Sequence, residues 1–312
     1  MPNRIESFVI GAAVAALVIL PAKAKDWTQI DRPAQTFQAH AVDLEKVSAD
    51  VTVKPVNGPA NVVSLQISGP RDLVDEVKSR TASGVLTVSG PRDEHSFSVW
   101  DWSKWFDYSH LDDKNKIKIT LTVPRGSAIT AKHMFGDLVV GDLDGKVWVE
   151  TASGDVRIGR VSEATVKAVG SGDIQIGAVN GPLDLNIAGS GDVKVTSAAG
   201  ARVSIAGSGD TVLGAINGPL KADIAGSGDL SIDSVAGPVV LSIAGAGDTR
   251  IHSGHADPLK VSIVGAGDLE FGGEAVDPQI SAIGSGDVWL KSYSGKLNSS
   301  GMASVRVGGK PD

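Results

Sequence analysis

The sequence predicts an all-β chain: a single-chain β-solenoid, β-helix-like, with coils of roughly 19 residues. Three observations carry that expectation. The first is a repeat: Gly-Ser/Ala-Gly-Asp occurs seven times, ending at Asp173, Asp192, Asp210, Asp229, Asp248, Asp268 and Asp287, with gaps of 19, 18, 19, 19, 20 and 19 residues. The second is period-two alternation inside each repeat, the mark of strands with one buried face. The third is composition: glycine makes 38 of 312 residues, aromatics make 4%, and cysteine is absent. Glycine this abundant, without a three-residue period, suits tight corners between strands and excludes collagen.

Taken from the N-terminus, residues 1–24 are expected to be a secretory signal peptide. Arg4 gives a positive start, Val9 to Leu20 is uncharged and apolar, and Ala22-Lys23-Ala24 supplies the small-x-small cleavage pattern. A helix of that apolar length spans about 18 Å, short of the ~30 Å hydrocarbon core, so a membrane anchor is the lesser alternative. No transmembrane segment is expected once the signal is removed. The expected destination is the periplasm, cell surface or exterior of a bacterium.

Residues 25–136 read as less regular coils with a cap, forming one continuous domain with residues 137–312. Val51 to Val53, Val62 to Ile67, Val85 to Val88 and Lys116 to Val123 look like strands. Asp72 to Arg80 carries Leu73, Val74 and Val77 at helical spacing and is the only plausible helix. A solenoid needs its open end covered, because a bare coil presents unpaired backbone groups. That requirement gives this region its expected role.

Residues 137–312 hold the GxGD repeats. Asp155 lies 18 residues before Asp173, and Asp137 lies 18 before that, so repeats start between 137 and 287. In the repeat from Asp173 to Gly191, Ile174 and Ile176 alternate with Gln175, and Asn180-Gly181-Pro182 makes a corner. Leu183, Leu185 and Ile187 then alternate with Asp184 and Asn186. No repeat can bury its apolar face alone; stacking gives a continuous core. Nine coils at ~4.8 Å each make a rod about 43 Å long. A propeller with two repeats per blade would also match the ~40–45-residue blade period. After Lys291 the GxGD signature is lost, although Ser304 to Val307 still alternates as a terminal strand would.

The tetrads in register resemble those of the putative auto-transporter adhesin head GIN domain family. The leader resembles it as well: a Gly69-Pro70-Arg71-Asp72-Leu73-Val74 segment, then Leu86-Thr87-Val88, then Lys116 to Pro124. The resemblance covers roughly residues 40–290. It implies an exported, all-β, solenoid-like domain of bacterial envelopes. It implies no established activity. The aromatic segment between Val88 and Lys116 looks like an insertion.

Two candidate sites stand out. In-register coils would align Asp155, Asp173, Asp192, Asp210, Asp229, Asp248, Asp268 and Asp287 as a ladder. Carboxylates about 5 Å apart repel by about 3 kcal/mol at an effective dielectric of 20, so the ladder must be hydrated, hydrogen-bonded or neutralised. One reading is calcium, which takes carboxylate oxygens; the other is structural, each aspartate accepting backbone N–H groups in an Asx-type turn. The structural reading is preferred, with no cofactor expected. The second site is aromatic. Trp100, Trp102, Trp105, Phe106 and Tyr108, with Phe97 nearby, concentrate rings in a chain otherwise poor in them. They suit a glycan or protein ligand, or a hydrophobic plug over the rod. His252, His255 and His133 are read as exposed turn residues rather than metal ligands.

The net charge of -7 argues against nucleic acid as a partner. The near-constant coil length leaves no room for the long loops of polysaccharide-degrading β-helices, and no nucleophile elbow or phosphate loop is present. The expected function is a non-catalytic, adhesin-like module of the cell envelope that presents a rigid face to a glycan or protein. The alternatives are a polysaccharide-active enzyme and a purely structural periplasmic protein with a cation-stabilised ladder.

Overall fold

In each repeat the apolar residues fall at every second position on either side of a corner, so a strand can bury one side chain row and expose the other. The computed structural model describes residues 27–90, 116–301 and 304–308. The expected signal peptide and the aromatic segment lie outside the described residues.

The chain begins with β1 (Gln29–Gln38), β2 (Ala41–Glu45), β3 (Asp50–Val56), β4 (Val62–Pro70), α1 (Arg71–Glu76), β5 (Lys78–Ala82), β6 (Val85–Ser89) and β7 (Lys118–Pro124). Coils follow as β8 (Ala128–Phe135), β9 (Leu138–Val140), β10 (Lys146–Ser153), β11 (Val156–Ile158), β12 (Glu163–Gly170), β13 (Ile174–Gly189) and β14 (Val193–Gly207). The remaining coils are built from β15 (Thr211–Ile216), β16 (Leu220–Gly226), β17 (Leu230–Gly245), β18 (Thr249–Gly265), β19 (Leu269–Val276) and β20 (Gln279–Gly284). The last strands are β21 (Val288–Ser294), β22 (Asn298–Gly301) and β23 (Val305–Val307).

These strands form a β-solenoid of two parallel walls. The wall that comes after each aspartate runs β7, β3, β9, β11, β13, β14, β15, β17, β18, β19, β21, β23. The wall that precedes the next tetrad runs β6, β2, β8, β10, β12, β13, β14, β16, β17, β18, β20, β22. Strands β13, β14, β17 and β18 bend through the corner and belong to both walls. Between the walls lies one core of valine, isoleucine, leucine and alanine, with Phe271 the largest fully buried side chain among the described residues. Beta-branched side chains fill such stacked strands well.

The N-terminal coils are stacked out of chain order. The coil of β2 and β3 sits between that of β6 and β7 and that of β8 and β9. The chain lays one coil, steps back to the end, and lays another behind it. Three antiparallel strands then close the end: β4 on β7, β1 on β4, and β5 on β6. The helix is shorter than the spacing predicts. It spans Arg71–Glu76, buries Leu73 and Val74, and stops at Val77, which is extended. Lys78 to Arg80, expected as helix, is instead the start of β5, because pairing with β6 satisfies its backbone where a further helical turn would not. Ser304 is followed by the expected terminal strand, β23, which pairs with β21.

Candidate functional site

The corner before each β13-type strand is where the repeat places its chemistry. At the aspartate the chain turns between walls, and the aspartate's backbone N–H meets no carbonyl of the neighbouring coil. The side chain of the previous coil's aspartate fills that gap. Asp173 N–H donates to Asp155 Oδ1 at 3.0 Å, Asp192 to Asp173 at 3.0 Å, and Asp210 to Asp192 at 2.9 Å. The chain of bonds continues through Asp229, Asp248, Asp268 and Asp287 at 2.7–3.0 Å. It also extends back, from Asp155 to Asp137 at 2.9 Å and from Asp137 to Asp50 at 3.2 Å. The residue after each aspartate resumes ordinary pairing, as where Val193 N–H donates to Asp210 O at 2.8 Å. The aspartates therefore accept from the next coil rather than within their own turn, which corrects the Asx-type geometry expected from the glycines.

Asp50 joins the ladder although no GxGD tetrad precedes it; only the register between β3 and β9 brings it there. The position opposite Asp50 in the next coil outward is Lys118. A cation thus stands at that end of a column of carboxylates. Further cations come from one outward row of the first wall, to which Arg157, Arg250 and Arg306 all belong. Arg157 pairs with Asp155 at 3.0 Å, and Arg306 pairs with Asp287 at 3.5 Å. Arg250 donates Nε–H to Glu270 at 2.7 Å. That bond, with the charge of Glu270 and then of Asp248 and Asp229, holds the Arg250 guanidinium above its ordinary value. Among the described residues, no three His, Asp or Glu side chains converge as a metal site.

The glycines of the tetrad are required by the stacking distance. A Cβ on Gly209 would overlap the carbonyl oxygen of Gly191, and the same holds from coil to coil. At Gly265 the backbone φ of 141° adds a second reason, since L side chains rarely adopt it.

On the outer side of the first wall, near the C-terminal coils, the ladder borders a groove of about 340 Å³. Asp248, Asp268, Asp287, Arg250, Glu270 and Trp289 are among the residues that line it. Neither Trp289 nor Arg250 stands out in the sequence; register alone brings them beside the ladder. The opposite wall carries a shallower hollow of about 430 Å³, lined in part by Ser242, Ser262, Ser281 and Ser300. These serines are neighbours in one outward row.

The aromatic candidates Trp100, Trp102, Trp105, Phe106 and Tyr108 lie outside the described residues. The ends of that segment are placed, however. Among the described residues the chain runs to Gly90 after β6 and resumes at Lys116 before β7. The histidines lie apart: His252 Nε2 is 3.1 Å from Ser231 Oγ, and His255 Nδ1 is 3.3 Å from Glu274 Oε2. His133 Nε2 is 3.7 Å from Glu150. Among the described residues no helix is long and apolar enough to cross a membrane.

The family model described as "Putative auto-transporter adhesin, head GIN domain" matches residues 45–234. Among solved structures, the chain is similar to a putative adhesin from Parabacteroides distasonis, at 12% identity over 91% of this chain and 98% of that one, with a TM-score of 0.46. It is also similar to a putative adhesin from Bacteroides fragilis, at 18% identity over 92% of this chain and 98% of that one, with a TM-score of 0.33. A third, described as a putative lipid binding protein from Parabacteroides distasonis, has 14% identity over 92% and 96% of the two chains and a TM-score of 0.33. No curated protein matches the chain.

Proposed function

Because the chain belongs to the putative auto-transporter adhesin head GIN domain family, whose model matches residues 45–234, we propose that it is an exported, non-catalytic binding module of the bacterial cell envelope. It presents a rigid solenoid surface to a glycan or protein, with Trp100, Trp102, Trp105, Phe106 and Tyr108 as candidate contact residues. The observation that carries this reading is the parallel pairing that links every coil to the next on both walls from β8 to β23. Coils held by backbone pairing on both sides, and by an aspartate at the corner, make a surface whose outward rows stay fixed. A fixed surface loses little entropy when a partner docks.

The enzyme alternative has less support. Its acids would have to converge in a cleft at separations near 5 Å or 6.5–9.5 Å, with one carboxyl apart from the rest in environment. The ladder aspartates instead share one environment, each with Oδ1 committed to a backbone N–H.

The test is retention of the purified full chain on isolated cell envelopes. Replacing Trp100, Trp102, Trp105, Phe106 and Tyr108 together by serine is expected to lower retention about tenfold or more, with an unchanged circular dichroism spectrum. Equal retention would remove the aromatic segment from the binding surface. Loss of the β spectrum would make it a plug for the rod instead.

A further inference from the structure

We infer that the groove beside Trp289 on the first wall is a binding site for an uncharged, β-linked saccharide chain lying along the ladder. The inference rests on the binding role proposed above and gives that role a ligand class and a place.

The groove holds three kinds of chemistry in register. Trp289 stands in the outward row between Glu270 and Arg306. Its Nε1–H donates to Gly308 O at 2.9 Å, which pins the indole. A pinned indole in a groove is a plate for the apolar face of a sugar ring. Arg250 and Arg306 supply donors already oriented by carboxylates, at 2.7 Å from Glu270 and 3.5 Å from Asp287. Asp229, Asp248 and Asp268 supply acceptors. Each gives Oδ1 to the next backbone N–H, and the described residues place no hydrogen bond on the other oxygen, which is on an exposed residue at the rod's edge.

A sugar hydroxyl both donates and accepts, so a surface that offers fixed donors, fixed acceptors and one aromatic plate satisfies it. The charge balance selects further. Asp229, Asp248, Asp268, Asp287 and Glu270 outweigh Arg250 and Arg306 among the lining residues, which disfavours an anionic chain. The aspartates left over after Arg250 pairs with Glu270 and Arg306 with Asp287 would also attract a polycation, which makes hexalysine the probe that separates ring recognition from simple charge attraction. The volume of about 340 Å³ lies within the range of small-ligand sites. Spacing adds the last argument. Acceptors recur once per coil, about 4.8 Å apart, close to the length of one β-linked pyranose, so successive rings meet successive coils.

Calorimetric titration of the full chain with neutral hexasaccharides of β-linked glucose and β-linked N-acetylglucosamine tests this, with hexalysine as the comparison probe. Binding of one hexasaccharide is expected. Trp289→Ala should weaken it about tenfold or more. Asp268→Asn keeps an oxygen for the Asp287 N–H while replacing the outer acceptor by a donor, so it should weaken binding several-fold at an unchanged melting temperature. Absence of saccharide binding, binding of hexalysine alone, or saccharide binding that survives both substitutions would overturn the groove assignment. None of these results would affect retention on isolated envelopes, which tests the wider reading independently.

Discussion

Asp192 illustrates what one residue does in this chain. Its backbone N–H donates to Asp173 Oδ1, and its own Oδ1 accepts from Asp210 N–H at 2.9 Å. The carboxylate completes a hydrogen-bond ladder that the backbone alone leaves open at a corner. Bonds of this charge-assisted kind are worth about 1.5–3 kcal/mol before the cost of neighbouring charge is counted. Like charges one coil apart remove part of that, which is why Arg157, Arg306 and Lys118 stand where they do. Asp192→Ala is expected to lower the stability of the rod by about 1 kcal/mol, because the Asp210 N–H loses its acceptor while water can still reach it. Asp192→Asn keeps an acceptor and relieves repulsion, so it should be neutral within about 0.5 kcal/mol. Denaturant midpoints of the two variants measure the difference. An alanine variant as stable as the asparagine variant would show that the ladder contributes nothing.

At the scale of the element, the repeats were the most legible part of the sequence and the N-terminal strands the least. Alternation such as Leu183, Leu185 and Ile187 against Asp184 and Asn186 gives the buried row directly. Tetrad spacing gives the coil. Neither signal reaches Asp50, which sits after Ser-Ala rather than Gly-Ser-Gly and joins the ladder through long-range pairing of β3 with β9. Lys78 to Arg80 misleads for the same reason: local spacing favours helix, and pairing with β6 overrides it. Trp289 and Arg250 were illegible as site residues, since each is an ordinary outward residue until register aligns it with its neighbours. Register also makes a coil a removable unit. Thr211 and Leu230 are partners in adjacent coils, so deleting 211–229 joins Asp210 to Leu230 at an equivalent position. The deletion is expected to fold, with an unchanged β spectrum and a rod shorter by about 4.8 Å. Deleting about half as many residues should abolish folding, because it brings the wrong wall into register. Small-angle scattering and circular dichroism read both outcomes.

At the scale of the whole molecule, the two ends differ. The N-terminal end is closed by β1, β4 and β5, which run antiparallel to the strands they cover. Strand β5 presents only exposed residues there, Lys78 and Arg80 among them, which discourages pairing with another sheet. Between this end and β23 the walls repeat without a long excursion among the described residues, so the outward rows run as continuous lines along the rod. Such a body suits the presentation role proposed for it, because backbone pairing between coils holds its outward rows in place. The groove proposed above for a saccharide lies toward the C-terminal coils, away from the closed end.

The claim that this rod meets partners at the cell envelope is tested most directly by protease shaving of intact cells expressing a C-terminally tagged chain, with lysed cells alongside. The account predicts loss of the tagged chain from intact cells while a periplasmic marker survives. Protection of the chain until lysis would contradict an adhesin-like role and leave the solenoid to a structural function inside the envelope.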